Sequence, residues 1–225
     1  MKILRVTLLA FIFCLIPMTI YGFGVYDLKV NNEVEVISSD VLDDLSESAN
    51  KEAFSYLIEK KALLLREDGV MEISSITRED YVTMFCRLMT GYRFHEVSES
   101  PYYIDVNVRD WYAGYVEWAR YNGVAKGFGN DVWGIGYDLT VEQMCQMAYT
   151  YIHFNEFEIK DTEFVTVVCK DYDNVSHWAK DGVMWCLKNG LIGVDSSGCL
   201  NPLSSVSWNM AVSFLERFDS RLIKE

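Results

Sequence analysis

The chain of 225 residues lacks the short motifs that mark most enzymes. Its three histidines are His95, His153 and His177, and they neither repeat nor cluster with cysteine or serine in a recognised catalytic order. The sequence contains no HExxH motif, no phosphate-binding loop and no CxxC pair. We therefore expect a protein that is not an enzyme and that uses neither a cofactor nor a metal ion.

Basic residues are also scarce. The chain has 20 lysines and arginines against 33 acidic residues, which gives a formal net charge of −13. Nucleic acids and anionic membranes are bound through basic patches. We expect neither of them as a partner of this acidic protein.

The N-terminus has no acidic residue before residue 25 and no apolar run long enough to span a membrane. Lys2 and Arg5 precede a run from Val6 to Ile20, shorter than the roughly 20 residues that a membrane helix needs. Small residues follow at Gly22 and Gly24. This layout predicts a secretory signal peptide over 1–24, cleaved near Gly24, and hence a secreted protein. An uncleaved anchor is the alternative.

Five cysteines lie beyond the predicted signal peptide, an odd number at wide spacing. They are Cys86, Cys145, Cys169, Cys186 and Cys199. Because free cysteine behaves as a small apolar residue, we expect buried thiols. A disulfide is the alternative in an exported protein, and the sequence does not identify the pair.

A tryptophan pattern occurs twice, and its helix-start signal occurs a third time upstream. The first copy comprises Trp111, Trp118, Asn122-Gly123 and Leu139-Thr140, and the second comprises Trp178, Trp185, Asn189-Gly190 and Val206-Ser207. The upstream signal is Ile76-Thr77-Arg78-Glu79-Asp80. Internal repeats of this kind indicate one small unit that is used several times. We predict units over 40–91, 103–154 and 171–220, after an N-terminal segment at 25–39.

Each unit is predicted to contain two helices joined by a loop. The second helix follows a hydroxyl N-cap at Thr77, Thr140 or Ser207, and Thr140 with Gln143 forms a capping box. Its apolar face has a spacing of four and then three residues, and the residues concerned are Tyr81, Phe85 and Leu88, then Met144, Ala148 and Tyr151, then Ala211, Leu215 and Phe218. The first helices are predicted over 50–62, 110–121 and 176–188, with the last two ending at Asn-Gly.

Two further features concern the connections. The loops from Gly123 to Leu139 and from Gly190 to Val206 have equal length, which predicts the same backbone path in both. The β-branched run over 164–168 predicts a short strand.

Taken together, these motifs resemble the S-layer homology module. The matching segments are Tyr103-Ile104-Asp105, Trp111, Gly123-Val124 and Leu139-Thr140 in the second unit, Asp171-Tyr172-Asp173, Trp178 and Gly190-Leu191 in the third, and the helix start at Ile76 in the first. The resemblance implies an all-α fold, in which three helix-loop-helix repeats form a pseudo-trimer around a central three-helix core. It also implies non-covalent binding to an anionic, pyruvylated secondary cell-wall polymer at a bacterial cell surface.

The resemblance implies ligand-binding roles for five residues. Arg78 would hold the acidic sugar, because a guanidinium donates two parallel hydrogen bonds to a carboxylate. The other four are Asp105, Trp111, Asp173 and Trp178. The chain departs from the family at Val141 and Trp208, which replace the corresponding arginines.

Alternatives remain open for each of these residues. Arg78, expected at the surface of the first helical turn, could pair with a nearby acid there. The two aspartates could cap turns, and the two tryptophans could belong to the core. The alternative for the whole chain is a degenerate module that binds other surface proteins and no polymer.

Overall fold

A computed structural model describes residues 50–63, 75–91, 101–160 and 167–223 of the chain. The predicted signal peptide at 1–24, the segment at 25–39, the start of the first predicted unit and residues 164–166 of the predicted strand lie outside the described residues.

The described residues are helical, which confirms the predicted all-α class. Six α-helices lie within them: α1 (Lys51–Glu59), α2 (Arg78–Thr90), α3 (Ala113–Tyr121), α4 (Val141–Phe154), α5 (Lys180–Lys188) and α6 (Trp208–Arg217). A π-helical turn at Phe218–Leu222 continues α6, and 3-10 turns at Tyr172–Asn174 and His177–Ala179 precede α5. Isolated β-bridges are the only extended pairing in this part of the chain.

The predicted N-caps of the second helices are confirmed. The hydroxyl of Thr77 accepts the backbone N–H of Asp80, and that of Ser207 accepts the N–H of Met210, each at 3.2 Å. Thr140 and Gln143 exchange both hydrogen bonds of a capping box. These side chains satisfy backbone donors that have no partner within the helix, so they fix where α2, α4 and α6 begin.

The helices α3 and α5 end as predicted but begin three or four residues later than predicted, whereas α1 ends at Glu59, three residues before its predicted end. Gly123 and Gly190 adopt left-handed φ values of 68° and 65° after α3 and α5. Lys61 takes the same conformation after α1, with φ 55°, although it is not glycine. Before α3 and α5 the chain forms turns and 3-10 turns, in which backbone groups are bonded locally, as in the 2.9 Å bond from Ala179 N–H to the Ser176 carbonyl.

Each first helix packs against a second helix from a different predicted unit. The helix pairs are α3 with α2, α5 with α4, and α1 with α6. The first helices of the second and third predicted units therefore pack against the second helix of the preceding unit. The first helix of the first unit, α1, packs against the second helix of the third unit, α6.

The segments that lead into α2, α4 and α6 meet in a closed ring of backbone hydrogen bonds. Ile76 N–H donates to the Val206 carbonyl at 2.8 Å, Val206 N–H to Leu139 at 2.8 Å, and Leu139 N–H to Ile76 at 2.9 Å. All three side chains are fully buried. The ring joins residues that are far apart in sequence, so it fixes the three helix starts relative to one another.

The core contains aromatic side chains from all three second helices and the turn after α6. The ring of Phe85 makes edge contacts with Tyr151 and Phe218, at centroid distances of 5.0 and 5.2 Å. The predicted apolar faces of α2, α4 and α6 are buried apart from Leu88, which is half-buried, and Trp118 and Trp185 pack half-buried against the core. Aromatic side chains from all three second-helix segments thus share one apolar interior.

The five cysteines among the described residues are thiols. Cys86, Cys145 and Cys186 are buried, as expected, whereas Cys169 and Cys199 are half-buried. In the residues described, no helix is long and apolar enough to cross a membrane.

Candidate ligand-binding site

Arg78 is buried, contrary to the expectation that it lies at the surface. It is the first residue of α2, and its backbone N–H donates to the Tyr137 carbonyl at 3.1 Å. Only 4% of the residue is exposed. Its guanidinium carbon lies 4.6 Å from the ring centre of Phe128 and 4.8 Å from that of Trp133. The cation is thus held between two aromatic faces, which attract it through their quadrupoles.

The guanidinium keeps its charge despite burial. Loss of solvation lowers the pKa of Arg78 to about 10, while Tyr103, Glu79 and Asp105 nearby favour the charged form. A pKa near this value leaves the group protonated at neutral pH. A positive charge with little water around it binds an anion more strongly than an exposed one does.

Four buried polar atoms around Arg78 have no hydrogen-bond partner among the described residues. They are Arg78 Nε, Trp133 Nε1, the Tyr103 hydroxyl and Glu79 Oε2. The Tyr103 and Trp133 rings contact each other at 5.4 Å, and Glu79 follows Arg78 on α2. Because buried polar groups are nearly always hydrogen-bonded, three donors and one acceptor gathered at one place mark a site where a polar ligand or water would bind.

Glu79 uses one carboxylate oxygen in a backbone hydrogen bond, and the other, Oε2, has no hydrogen-bond partner among the described residues. Its Oε1 accepts the N–H of Gly136 at 2.9 Å. Burial raises the pKa of Glu79, an effect that the backbone N–H groups of Glu79 and Gly136 and the Thr77 hydroxyl partly offset. Glu79 therefore offers an acceptor at the helix position next to Arg78.

Asp105 holds the loop that carries Trp133. Its carboxylate accepts the backbone N–H groups of Trp133, Gly134 and Ile135 at 2.8, 2.7 and 3.1 Å. Burial alone would raise the pKa of Asp105, but these three donors outweigh it and the pKa is lowered. Asp105 thus serves as a turn cap, one of the two roles open from the sequence, and it positions one wall of the site.

In the third unit the corresponding turn is capped by Asp171 rather than by Asp173. Asp171 accepts the N–H groups of Leu200 and Asn201 at 2.7 and 2.8 Å. These donors lie 67 positions after Trp133 and Gly134, so Asp171 is the counterpart of Asp105. Asp173 lies exposed in the 3-10 turn that follows.

Trp111 and Trp178 are surface residues rather than core residues. Trp111 is 45% exposed and Trp178 is 53% exposed, each shortly before a first helix. Trp111 packs edge-on against Tyr112 at 5.3 Å, and the electrostatic neighbours of Tyr112 include Glu79 and Asp105. Trp111 is therefore an exposed neighbour of Tyr112, whose hydroxyl lies close enough to Glu79 and Asp105 to be affected by their charges.

The positions equivalent to Arg78 contain no cation. Val141 is fully buried at the start of α4, and Trp208 is nearly so at the start of α6. Glu142, the counterpart of Glu79, accepts the N–H and the hydroxyl of Ser176, both at 2.8 Å. Its two oxygens are thus already bonded to protein.

Sequence reasoning missed four residues of the site. Tyr103, Phe128, Trp133 and Glu79 form its walls and its acceptor, yet none was predicted to bind a ligand. Phe128 and Trp133 lie among four glycines at left-handed φ values, Gly127, Gly129, Gly134 and Gly136. Large aromatic residues set among glycines that allow a compact loop were the available signal.

No protein-family model matches the chain, and no curated protein matches it in sequence. In the part of the chain that the structure describes, no group of three or more His, Cys, Asp or Glu residues could hold a metal ion.

Proposed function

We propose that this chain is the wall-binding module of a secreted bacterial surface protein, that it has no enzymatic activity, and that it binds pyruvylated secondary cell-wall polysaccharide non-covalently. The observation that carries the proposal is the buried guanidinium of Arg78, held between Phe128 and Trp133 beside polar atoms that lack partners. A site of this kind combines a fixed positive charge with aromatic faces.

The chemistry of a pyruvylated sugar matches these groups one by one. Its carboxylate would accept hydrogen bonds from Arg78, Trp133 Nε1 and the Tyr103 hydroxyl, and charge-assisted bonds of this type are the strong ones. A sugar hydroxyl would donate to Glu79 Oε2. The apolar faces of the sugar ring would pack on exposed aromatic rings such as Phe128 and Trp111.

We further propose that the three units form a pseudo-trimer around a central core made by α2, α4 and α6. Two observations support it. The ring of hydrogen bonds among Ile76, Leu139 and Val206 relates the three helix starts cyclically. The helix pairs α3–α2, α5–α4 and α1–α6 follow the same cyclic order.

The alternative function is a degenerate module that binds other surface proteins and no polymer. It is favoured by the burial of Val141 and Trp208, which leaves two of the three equivalent positions without a cation. One intact site out of three would still bind polymer, with an affinity set by that site alone.

The test compares two buried arginines of the same helix. Arg78→Met should weaken binding to purified, pyruvylated wall polymer by roughly ten- to hundred-fold, because a hydrogen-bonded charge is worth about 1.5–3 kcal/mol. Arg87 donates to the Tyr115 hydroxyl at 3.1 Å and to the Leu63 carbonyl at 3.5 Å. Arg87→Met should therefore lower the free energy of unfolding by about 1–3 kcal/mol and leave polymer affinity unchanged.

Polymer from which the pyruvyl groups have been removed by mild acid serves as the ligand control. Equal binding of both polymers would contradict recognition of the carboxylate. Affinity that is unchanged in Arg78→Met would show that the site lies elsewhere, and a parent protein without affinity for wall polymer would favour the degenerate module.

A further inference from the structure

Cys169 and Cys199 are brought together by the backbone of the third unit. The N–H of Lys170, in the peptide group that follows Cys169, donates at 2.9 Å to the carbonyl of Gly198, in the peptide group that precedes Cys199. The two segments are joined by this bond and do not form a β-bridge; in paired strands, Cα atoms that flank such a bond lie about 4.5–5.5 Å apart, which sets the scale for the separation of the two cysteines. A disulfide spans Cα distances of about 4.4–6.8 Å.

The side chain of Cys169 points to the same place. Its thiol donates to Asp171 Oδ1 at 3.2 Å, and the same oxygen accepts the N–H of Leu200, the residue after Cys199, at 2.7 Å. Cys199 is thus bracketed: the peptide group before it bonds to the Cys169 segment, and the peptide group after it bonds to the carboxylate that holds the Cys169 thiol. Both cysteines are half-buried, so a small oxidant can reach them.

In the second unit, the position equivalent to Cys169 is occupied by a residue that packs against the following loop. There the equivalent backbone bond runs from Ile104 N–H to the Asp131 carbonyl at 2.8 Å. The residue before it is Tyr103, which is buried and packs against the Trp133 ring at 5.4 Å. In the third unit the corresponding residues are Cys169 and Leu200, so that aromatic contact is absent and a different link can close the base of the loop.

We propose that Cys169 and Cys199 form a disulfide that closes the base of the third unit. The proposal takes its oxidising compartment from the proposed export of the protein. The enclosed segment contains α5 and the exposed Trp178, so the bond would tie both to the loop that leads into α6.

The oxidation balances with a low-molecular-weight disulfide such as oxidised glutathione. One cysteine thiolate attacks the glutathione disulfide and releases one glutathione thiol. The second cysteine then attacks the mixed disulfide, forms the Sγ–Sγ bond and releases the second glutathione thiol. The two cysteines lose two electrons and two protons, and the glutathione disulfide gains them. Asp171 keeps its bonds to Leu200 and Asn201 when the Cys169 thiol is lost.

The test uses the full chain, equilibrated in a buffer of oxidised and reduced glutathione. Remaining thiols are alkylated and the protein is digested with trypsin. The five cysteines beyond residue 25 fall on five different tryptic peptides, with Cys169 on 161–170 and Cys199 on 189–217. We expect these two peptides to be recovered as one cross-linked species that separates on reduction. The cross-link should vanish in Cys199→Ser. It should persist in the control Cys186→Ser, because in the parent the Cys186 thiol lies in the core and donates to the Cys145 carbonyl.

Thermal unfolding gives a second readout. Reduction should lower the melting temperature of the parent by about 5–10 °C, because it frees a loop of about 30 residues, and should leave that of Cys199→Ser unchanged. Recovery of peptide 161–170 as an alkylated thiol, as a glutathione adduct, or linked to any other cysteine would overturn the proposal. Neither readout involves wall polymer. A negative result would therefore contradict the proposed disulfide without bearing on the proposed polymer binding.

Discussion

Two interfaces of this protein share a backbone hydrogen bond at the start of a helix but differ in their side chains. We define the first interface as Arg78 and Glu79 with the loop 127–137, and the second as Val141 and Glu142 with the segment 171–204. In the first, Arg78 N–H donates to the Tyr137 carbonyl, and in the second, Val141 N–H donates to the Ser204 carbonyl, each at 3.1 Å. An aspartate caps the adjoining turn in both.

The interfaces differ in the polar groups that remain available. At the first interface, Arg78 Nε and Glu79 Oε2 have no partner among the described residues. At the second, valine replaces the arginine and Ser176 occupies both oxygens of Glu142. The comparison teaches that the backbone common to both interfaces determines where a ligand site can form. The side chains at positions 78 and 79, or 141 and 142, determine whether polar atoms without a protein partner remain for a ligand.

The largest effect on stability should come from the turn caps. Asp105→Ala leaves three backbone N–H groups without an acceptor, and it should lower the free energy of unfolding by about 3 kcal/mol. Asp171→Ala leaves two, and about 2 kcal/mol should be lost. The matched control is Asp173→Ala, an exposed residue whose loss should stay within about 0.5 kcal/mol. Urea denaturation measures all three, and equal losses for Asp171→Ala and Asp173→Ala would contradict the assignment of Asp171 as the cap.

A smaller effect should separate the two glutamates. In Glu142→Gln an amide NH2 group replaces one of the two oxygens that accept from the backbone N–H and the hydroxyl of Ser176, so one of these bonds is lost. The substitution should lower the free energy of unfolding by about 2 kcal/mol. Glu79→Gln keeps an oxygen for Gly136 N–H and removes a poorly solvated charge, so the change should stay within about 1 kcal/mol. The same denaturation experiment checks both. If Glu79→Gln costs as much as Glu142→Gln, the first interface is as fully bonded as the second, and the contrast between them fails.

Much of the frame could be predicted because local signals determine it. Thr77, Thr140 and Ser207 cap their helices because a hydroxyl at that position accepts a free backbone N–H, whatever the rest of the fold does. The apolar faces of α2, α4 and α6 follow from helical spacing alone. Lys61 marks the limit of such signals, since it adopts the left-handed conformation of Gly123 and Gly190 without being glycine.

The site could be predicted only in part because it depends on contacts distant in sequence. Arg78 was expected at the surface, since a first-turn residue often is, but Phe128 and Trp133 cover it from a loop about 50 residues further along the chain. Asp173 was aligned with Asp105 in a segment that contains two aspartates, Asp171 and Asp173. Only the bonds to Leu200 and Asn201 show that Asp171 is the equivalent residue.

The smallest expected effect is a pH dependence specific to the first interface. Burial raises the pKa of Glu79 above its ordinary value near 4.5. As pH rises through the window between that value and the raised one, the unfolded chain releases its proton first, so the folded protein binds more protons and its stability falls. Above the window the loss is constant. Asp105 contributes in the opposite sense, because its pKa is lowered and its stabilisation is lost as pH falls through the folded value.

The free energy of unfolding of the parent, minus that of Glu79→Gln, isolates the contribution of Glu79. Measured from pH 4 to pH 8, this difference should decrease as pH rises from the ordinary pKa of a glutamate to the raised one, and then level off. Subtraction of the variant removes Asp105 and every other carboxylate from the comparison. A difference that increases with pH would mean that the folded protein stabilises the charged form of Glu79. Its free oxygen would then have a donor within the protein, and the first interface would have no acceptor left for a sugar hydroxyl.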